Sequence, residues 1–321
     1  MKKGFIIATL AALVLGLAPS ASALTISPPL MEFDARPGDA LVDVVKLYNE
    51  TNEPLTLTAS VQNFKALGET GTPEFLPVEE KVGLASWIKL DETEVTLAPQ
   101  ERKSVLFTIN VPGDAEPGGH FAGILWSAGT PTAAAPGEAA VGIVAKTGTL
   151  ILVRVAGEVN EAGRIVEFST DKTSYNYLPV NFTVRFENTG NVHLKPTGTI
   201  EIRNMWGTKV AQMAVNENLA NVLPKSIRRF EATWQKEALP LGASEWQKER
   251  QNGAWGKYTA VVTLSYGIDG SVVQAKTSFW VFPWRVALFY LVLLVIIVLL
   301  LVQGVKKYNK WLLKKYGGKV A

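Results

Sequence analysis

The 321-residue sequence predicts an all-β chain of two tandem β-sandwiches followed by a single C-terminal transmembrane α-helix, and three observations carry that expectation. Apolar and polar residues alternate with period two through most of the chain. A short motif recurs at a near-constant spacing. One uncharged stretch near the C-terminus is as long as a hydrocarbon core is thick.

Residues 1–23 form a secretory signal peptide: basic Lys2 and Lys3, an apolar run from Gly4 to Ala18, and the small-residue motif Ala21-Ser22-Ala23. Cleavage is expected between Ala23 and Leu24. Strand signals follow. Val105, Phe107, Ile109 and Val111 alternate with Leu106, Thr108 and Asn110, Phe182, Val184 and Phe186 with Thr183 and Arg185, and Tyr258, Ala260, Val262 and Leu264 with Thr259, Val261 and Thr263. Period 3.6 is nearly absent before the C-terminal stretch. Turn signals recur at Arg36 to Asp39, Asn49 to Pro54, Pro112 to Asp114, Pro117 to Gly119 and Asn188 to Asn191. Asp269-Gly270 sets a hairpin between Tyr266 and Val272.

The repeat sets the domain count. Leu47-Tyr48-Asn49-Glu50-Thr51-Asn52-Glu53-Pro54-Leu55 aligns with Phe186 to Leu194 at an offset of 139, and Gly119 to Ile124 aligns with Gly256 to Val261 at an offset of 137. In each copy an apolar strand runs into an Asn-rich turn, where Asn tolerates left-handed backbone. The expected organisation is a first sandwich over 24–157, a second over 158–283, a transmembrane helix over 284–305 and a basic tail over 306–321. The polar break Gly157 to Gly163 separates the sandwiches, and Ala128 to Ala140, without aromatic or β-branched runs, reads as a surface loop.

Val286 to Val302 carries no charge, and with Gly304 and Val305 it reaches about 20 residues, enough to span a ~30 Å core. Trp280, Trp284 and Tyr290 mark the entry interface, and Tyr308 and Trp311 the exit. Lys306, Lys307, Lys310, Lys314, Lys315 and Lys319 follow without an acidic residue, which places the tail on the cytoplasmic side and the sandwiches outside. The same topology explains the charge. Formal net charge is +3, but two lysines lie in the signal and six in the tail, leaving 24 basic against 29 acidic residues between them. The exposed part is mildly acidic, so nucleic acid is not an expected partner. The chain has no cysteine, which excludes a lipoprotein anchor and thiol chemistry.

Catalytic signals are poor, and no cofactor is implied. His120 and His193 are the only histidines, without metal-ligand spacing around them. Ser86 to Lys89 fits Ser-x-x-Lys and Lys146-Thr147-Gly148 fits Lys-Thr-Gly, but that chemistry needs the serine and lysine one turn apart on a buried helix. Ser86 precedes a strand-like run instead, and Ser169 to Lys172 matches the same pattern by chance. Trp234 falls in a strand with Ile227 and Phe230 and reads as core. Trp246 and Trp255 border the polar run Gln247 to Gly253, where a sugar-stacking platform is one reading.

Several segments together resemble a known family: Leu24-Thr25-Ile26-Ser27-Pro28-Pro29, the Pro37-Gly38 turn, Leu47 to Thr51, Val111 to Phe121, and Val153 to Gly157. They look like the peptidoglycan-binding domain of WxL-interacting proteins, a resemblance that covers roughly residues 24 to 157. It implies immunoglobulin-like sandwiches, membrane anchorage, and contact with peptidoglycan or cell-surface proteins. The second domain lies outside the resemblance. The favoured expectation is a non-enzymatic, membrane-anchored binding or adhesion scaffold of the bacterial cell envelope. The alternatives are a chaperone-like assembly module resembling periplasmic pilus chaperones, which act by strand addition, and an envelope enzyme.

Overall fold

The computed structural model describes residues 24–77, 82–128, 146–238 and 241–316. The signal peptide through Ala23, most of the loop predicted over Ala128 to Ala140, and the last five residues fall outside that range. The chain is all-β, with two immunoglobulin-like sandwiches and one long C-terminal helix. It divides into two compact units between Glu161 and Ala162, apart from the turns Gly68–Gly71 and Gly190–His193, which group with the second and first units respectively.

In the first unit, β1 (Leu24–Ser27), β3 (Ala40–Asn49), β8 (Arg102–Asn110) and β6 (Ile88–Leu90) form one sheet in the order β1-β3-β8-β6. The other runs β2 (Leu30–Ala35), β10 (Lys146–Val155), β9 (Gly118–Ala128), β4 (Leu55–Leu67) and β5 (Thr72–Phe75), with β7 (Glu94–Leu97) also on β4. A single turn, α1 (Leu84–Trp87), leads into β6. Alternation does what it predicts: Val105, Phe107 and Ile109 of β8 are buried while Leu106 faces out. They pack with Leu47, Leu57, Ile124, Trp126 and Ile151 in one core. The opening segment changes sheets at Ser27-Pro28-Pro29. Before it, β1 pairs antiparallel with β3; after it, β2 pairs parallel with β10. Two prolines suit that crossing because neither has an N–H to give a ladder.

The second unit repeats the plan. β11 (Gly163–Thr170), β13 (Val180–Asn188) and β16 (Ser226–Trp234) form one sheet. The other has the order β12 (Ser174–Tyr175), β18 (Ser271–Val281), β17 (Gly256–Tyr266), β14 (Thr197–Asn204), β15 (Lys209–Val215). Again the opening strand pairs antiparallel with the second (β11 on β13), and its continuation pairs parallel with the last (β12 on β18). The Asp269-Gly270 hairpin joins β17 to β18 in continuous register from Tyr266–Ser271 to Gly256–Val281. Phe279 and Val281 point inward, and the Phe279 ring stacks on Tyr258 at 5.8 Å and meets Tyr175, Phe182 and Trp234 edge to face within 6.1 Å.

The sequence repeat has a physical basis. Asn49 and Asn188, aligned by the 139-residue offset, each end a strand and are each fully buried. Asn49 Nδ2 donates to Glu53 O (2.7 Å) and Ala98 O (3.0 Å), and its Oδ1 accepts from Thr51 N–H (3.0 Å). Asn188 Nδ2 donates to Val222 O (2.8 Å). In both copies the amide satisfies carbonyls of a connecting segment that sheet pairing does not reach.

Two differences from expectation concern helices. The polar run Gln247 to Gly253, for which no helix was expected, lies mostly in α2 (Glu245–Asn252). The C-terminal helix, α3 (Trp284–Tyr316), does not stop near Val305 but continues through the lysine-rich segment. Lys306 to Lys315 are helix residues, because lysine and leucine are both good helix formers and no Gly-Pro stop intervenes.

Candidate membrane-anchoring site

Among the described residues one helix, α3, is long and apolar enough to cross a membrane. Its 33 residues span about 50 Å at 1.5 Å each, and Leu288 to Val302 expose apolar side chains all round. Of the expected entry residues, Trp280 stands on β18 rather than on the helix, Trp284 opens α3, and Tyr290 lies in its second turn. Tyr308 and Trp311 stack at 6.0 Å, and Lys315 Nζ lies 4.7 Å over the Trp311 ring. Lys306 and Lys307 occupy the turn just before Tyr308. Leu24, at the expected cleavage point, opens β1.

The residues that seat α3 were not anticipated. Glu249, on α2, is 1 % exposed. Its Oε2 accepts from the backbone N–H groups of Arg285 (2.9 Å) and Val286 (3.3 Å), and its Oε1 accepts from Arg285 Nη1 (2.8 Å). A helix leaves its first N–H groups without intrahelical partners and carries partial positive charge there, so a carboxylate from a neighbouring helix both caps and neutralises that end. Removing its partners would leave the Glu249 carboxylate buried and uncompensated, whereas the Arg285 side chain, 34 % exposed, could turn to solvent. Arg285 also lies 3.6 Å from Glu245, and its guanidinium sits 4.7 Å over the Trp284 ring. Lys248 bonds Glu245 (2.8 Å) and thereby holds that carboxyl below its usual range. The half-buried Trp246 ring packs edge to face with Phe289 of α3 at 5.2 Å.

α2 is itself fixed at both ends. Ser244 and Gln247 form a reciprocal capping box: Gln247 N–H donates to Ser244 Oγ, and Ser244 N–H to Gln247 Oε1. At the far end the buried Asn252 amide exchanges two hydrogen bonds with the Glu237 backbone (3.0 and 3.1 Å). The Ser-x-x-Gln pattern was the one sequence signal that could have revealed this helix.

The catalytic look-alikes stay apart. Ser86 Oγ donates to Gly83 O (2.7 Å) as a turn-closing hydroxyl, and Lys89 lies on β6, beyond the end of α1, so the pair does not share a helix face. Lys146 to Gly148 belong to β10. The His120 ring lies tilted against Trp87 at 4.5 Å and donates from Nε2 to Glu116 O (2.9 Å), while the His193 ring lies edge-on to Phe121 at 6.0 Å. Among the described residues no cluster of three His, Asp or Glu could hold a metal ion.

No family model and no curated protein matches the chain. Solved structures with a similar fold include the class 5 fimbriae chaperone CfaA, with 14% identity, covering 80% of this chain and 99% of that one, at a TM-score of 0.38. The E. coli chaperone DraB shows 12% identity over 81% and 97% of the two chains at 0.34. The Salmonella enterica SafA pilin complex with the SafB chaperone gives 10% identity over 82% and 99% at 0.37. At this distance the likeness is one of fold.

Proposed function

We propose that the chain is an extracytoplasmic binding module, held to the membrane by α3, that takes an extended segment of another surface protein as an added strand. The observation that carries this reading is the outer edge of the last strand in each sandwich. β10 pairs with β9 along its whole length, but β2 reaches only Leu150 to Val155 and the buried Thr149 is covered by Pro28, so Lys146 to Gly148 have no strand on the other side among the described residues. β18 likewise pairs fully with β17 but meets β12 only at Trp280 and Val281. An edge with free N–H and C=O groups is a template for another chain, and main-chain hydrogen bonds would supply the affinity. Six lysines follow the apolar stretch, whereas Arg285 is the one basic residue between Lys276 and its start, and this excess after the stretch supports an outward-facing ectodomain.

The test is photocrosslinking in intact cells, with a photoreactive residue at Thr147 or Gln274. Adducts to exported proteins are expected at these edges and not at Lys89, on the short edge strand β6. Equal yield at all three positions would sink strand addition.

A second reading is contact with peptidoglycan through the first sandwich, as the family resemblance implies. A groove of about 330 Å³ lined by Thr25, Lys46, Tyr48, Arg102 and Lys103 favours it, with the Arg102 guanidinium 4.6 Å over the Tyr48 ring. Cations beside an aromatic face suit an acidic sugar–peptide polymer.

A further inference from the structure

The end of the second sandwich from which α3 emerges is unusually apolar. Register places three elements there. Asn204, at the close of β14, pairs with Tyr258, two residues into β17; Lys257 pairs with Trp280; and α3 starts three residues after Val281. The β14–β15 turn therefore lies level with the root of the helix, and the side chain of Met205 reaches the Cα of Gly256 closely enough to leave no room for a Cβ. At this end Met205, Trp206, Trp255, Trp280, Phe282 and Trp284 are all exposed, Trp206 by 78 %. Trp255 and Phe282 meet edge to face at 5.7 Å.

The turn is built to hold its indole outward. Asn204 Oδ1 accepts from the N–H groups of both Trp206 (3.1 Å) and Thr208 (3.0 Å), Arg203 Nη1 donates to Gly207 O (3.2 Å), and Gly207 supplies the positive φ (+81°) that the turn requires. The opposite end of the same sandwich, about 35 Å away along β17, exposes Ile268 and Leu219 but no aromatic ring among the described residues. Single exposed apolar residues need no explanation, but a one-sided cluster of aromatic ones does. Indole rings favour the lipid–water boundary, where an apolar body and an N–H are both served. The Glu249 cap fixes the helix to this end, so a membrane crossed by α3 meets these side chains first.

We propose that this end of the second sandwich rests in the phospholipid interface, with the Met205-Trp206 turn inserted among the headgroups as a second point of attachment beside α3. The inference rests on α3 crossing the membrane. Because the chain lacks cysteine, single probes are simple to place: Trp206→Cys, Ile268→Cys and Ile297→Cys, each carrying an environment-sensitive fluorophore on the full-length protein in phosphatidylcholine–phosphatidylglycerol vesicles. The label at 206 should be quenched by a nitroxide near the headgroups about twofold or more beyond the label at 268, and shielded from aqueous iodide. The label at 297 should respond to a nitroxide deep in the acyl chains. If 297 responds while 206 is as open to iodide as 268, the inserted turn is wrong and the anchor stands. If 297 also fails to respond, the anchor reading falls and takes the inserted turn with it.

Discussion

In the first sandwich the opening segment gives four residues, β1, to one sheet and six, β2, to the other; in the second, β11 takes eight and β12 only two. Both sandwiches thus make the same change of sheet at different points along the strand. The position of the change decides how much of the last strand is covered: six residues of β10 against two of β18. The covered part of β18 lies next to α3, where pairing of Ser174 and Tyr175 with Trp280 and Val281 steadies the strand that becomes the helix. The change of sheet is shared by the two copies, and its position sets where backbone is left unpaired.

The comparison can be broken most forcefully through the core of one copy. Replacing Leu264, fully buried on β17, by Asp places an uncompensated charge in the interior of the second sandwich, at a cost of about 4 kcal/mol or more. Calorimetry of the full chain should show the second sandwich's transition lost and the first retained. Loss of both would mean that the copies fold as one cooperative body.

A smaller effect sharpens the equivalence of the two buried asparagines. Asn49→Ala and Asn188→Ala each strand buried carbonyls, worth about 2 kcal/mol, and each should lower only its own sandwich's melting temperature. A loss confined to one would show that the shared motif has drifted to a different use in the other.

The smallest effect belongs to the second copy alone. Tyr175 Oη donates to Asp171 Oδ1 (2.6 Å) and accepts from Lys172 N–H (3.0 Å). Burial, reinforced by the Asp171 carboxylate, pushes its phenol up to about 12. The unfolded phenol ionises near its ordinary value of 10, so this contribution is complete below pH 10 and is lost as pH rises towards 12. Ultraviolet titration should show one tyrosine ionising late. In Tyr175→Phe the late step should vanish and the alkaline fall in stability become shallower.

What could be read from the sequence was local. The Asp269-Gly270 hairpin, the alternation in β8 and β13, and the Asn-rich turns were legible because strand period and turn chemistry are written within a few residues. The change of sheet was not, since whether Leu30 to Ala35 pair with β3 or β10 depends on partners more than a hundred residues apart. α2 was hidden by its composition. Its buried residues are Glu249 and Asn252, which a hydrophobic pattern counts as surface, and only their partners Arg285 and Glu237 explain their position.

The carboxylate of Glu249 has a mechanical meaning. A single-pass protein on a loose tether swivels about its helix, and a pull on its outer part is spent in straightening the linker. Here the last strand enters α3 through only Phe282 and Pro283, and Glu249 grips the N–H groups of Arg285 and Val286 in its first turn, so there is no slack to take up. With α3 in a membrane, as proposed, a sideways load on the second sandwich would arrive in the bilayer as tilt of the helix, and any reorientation of the helix would turn the sandwich with it.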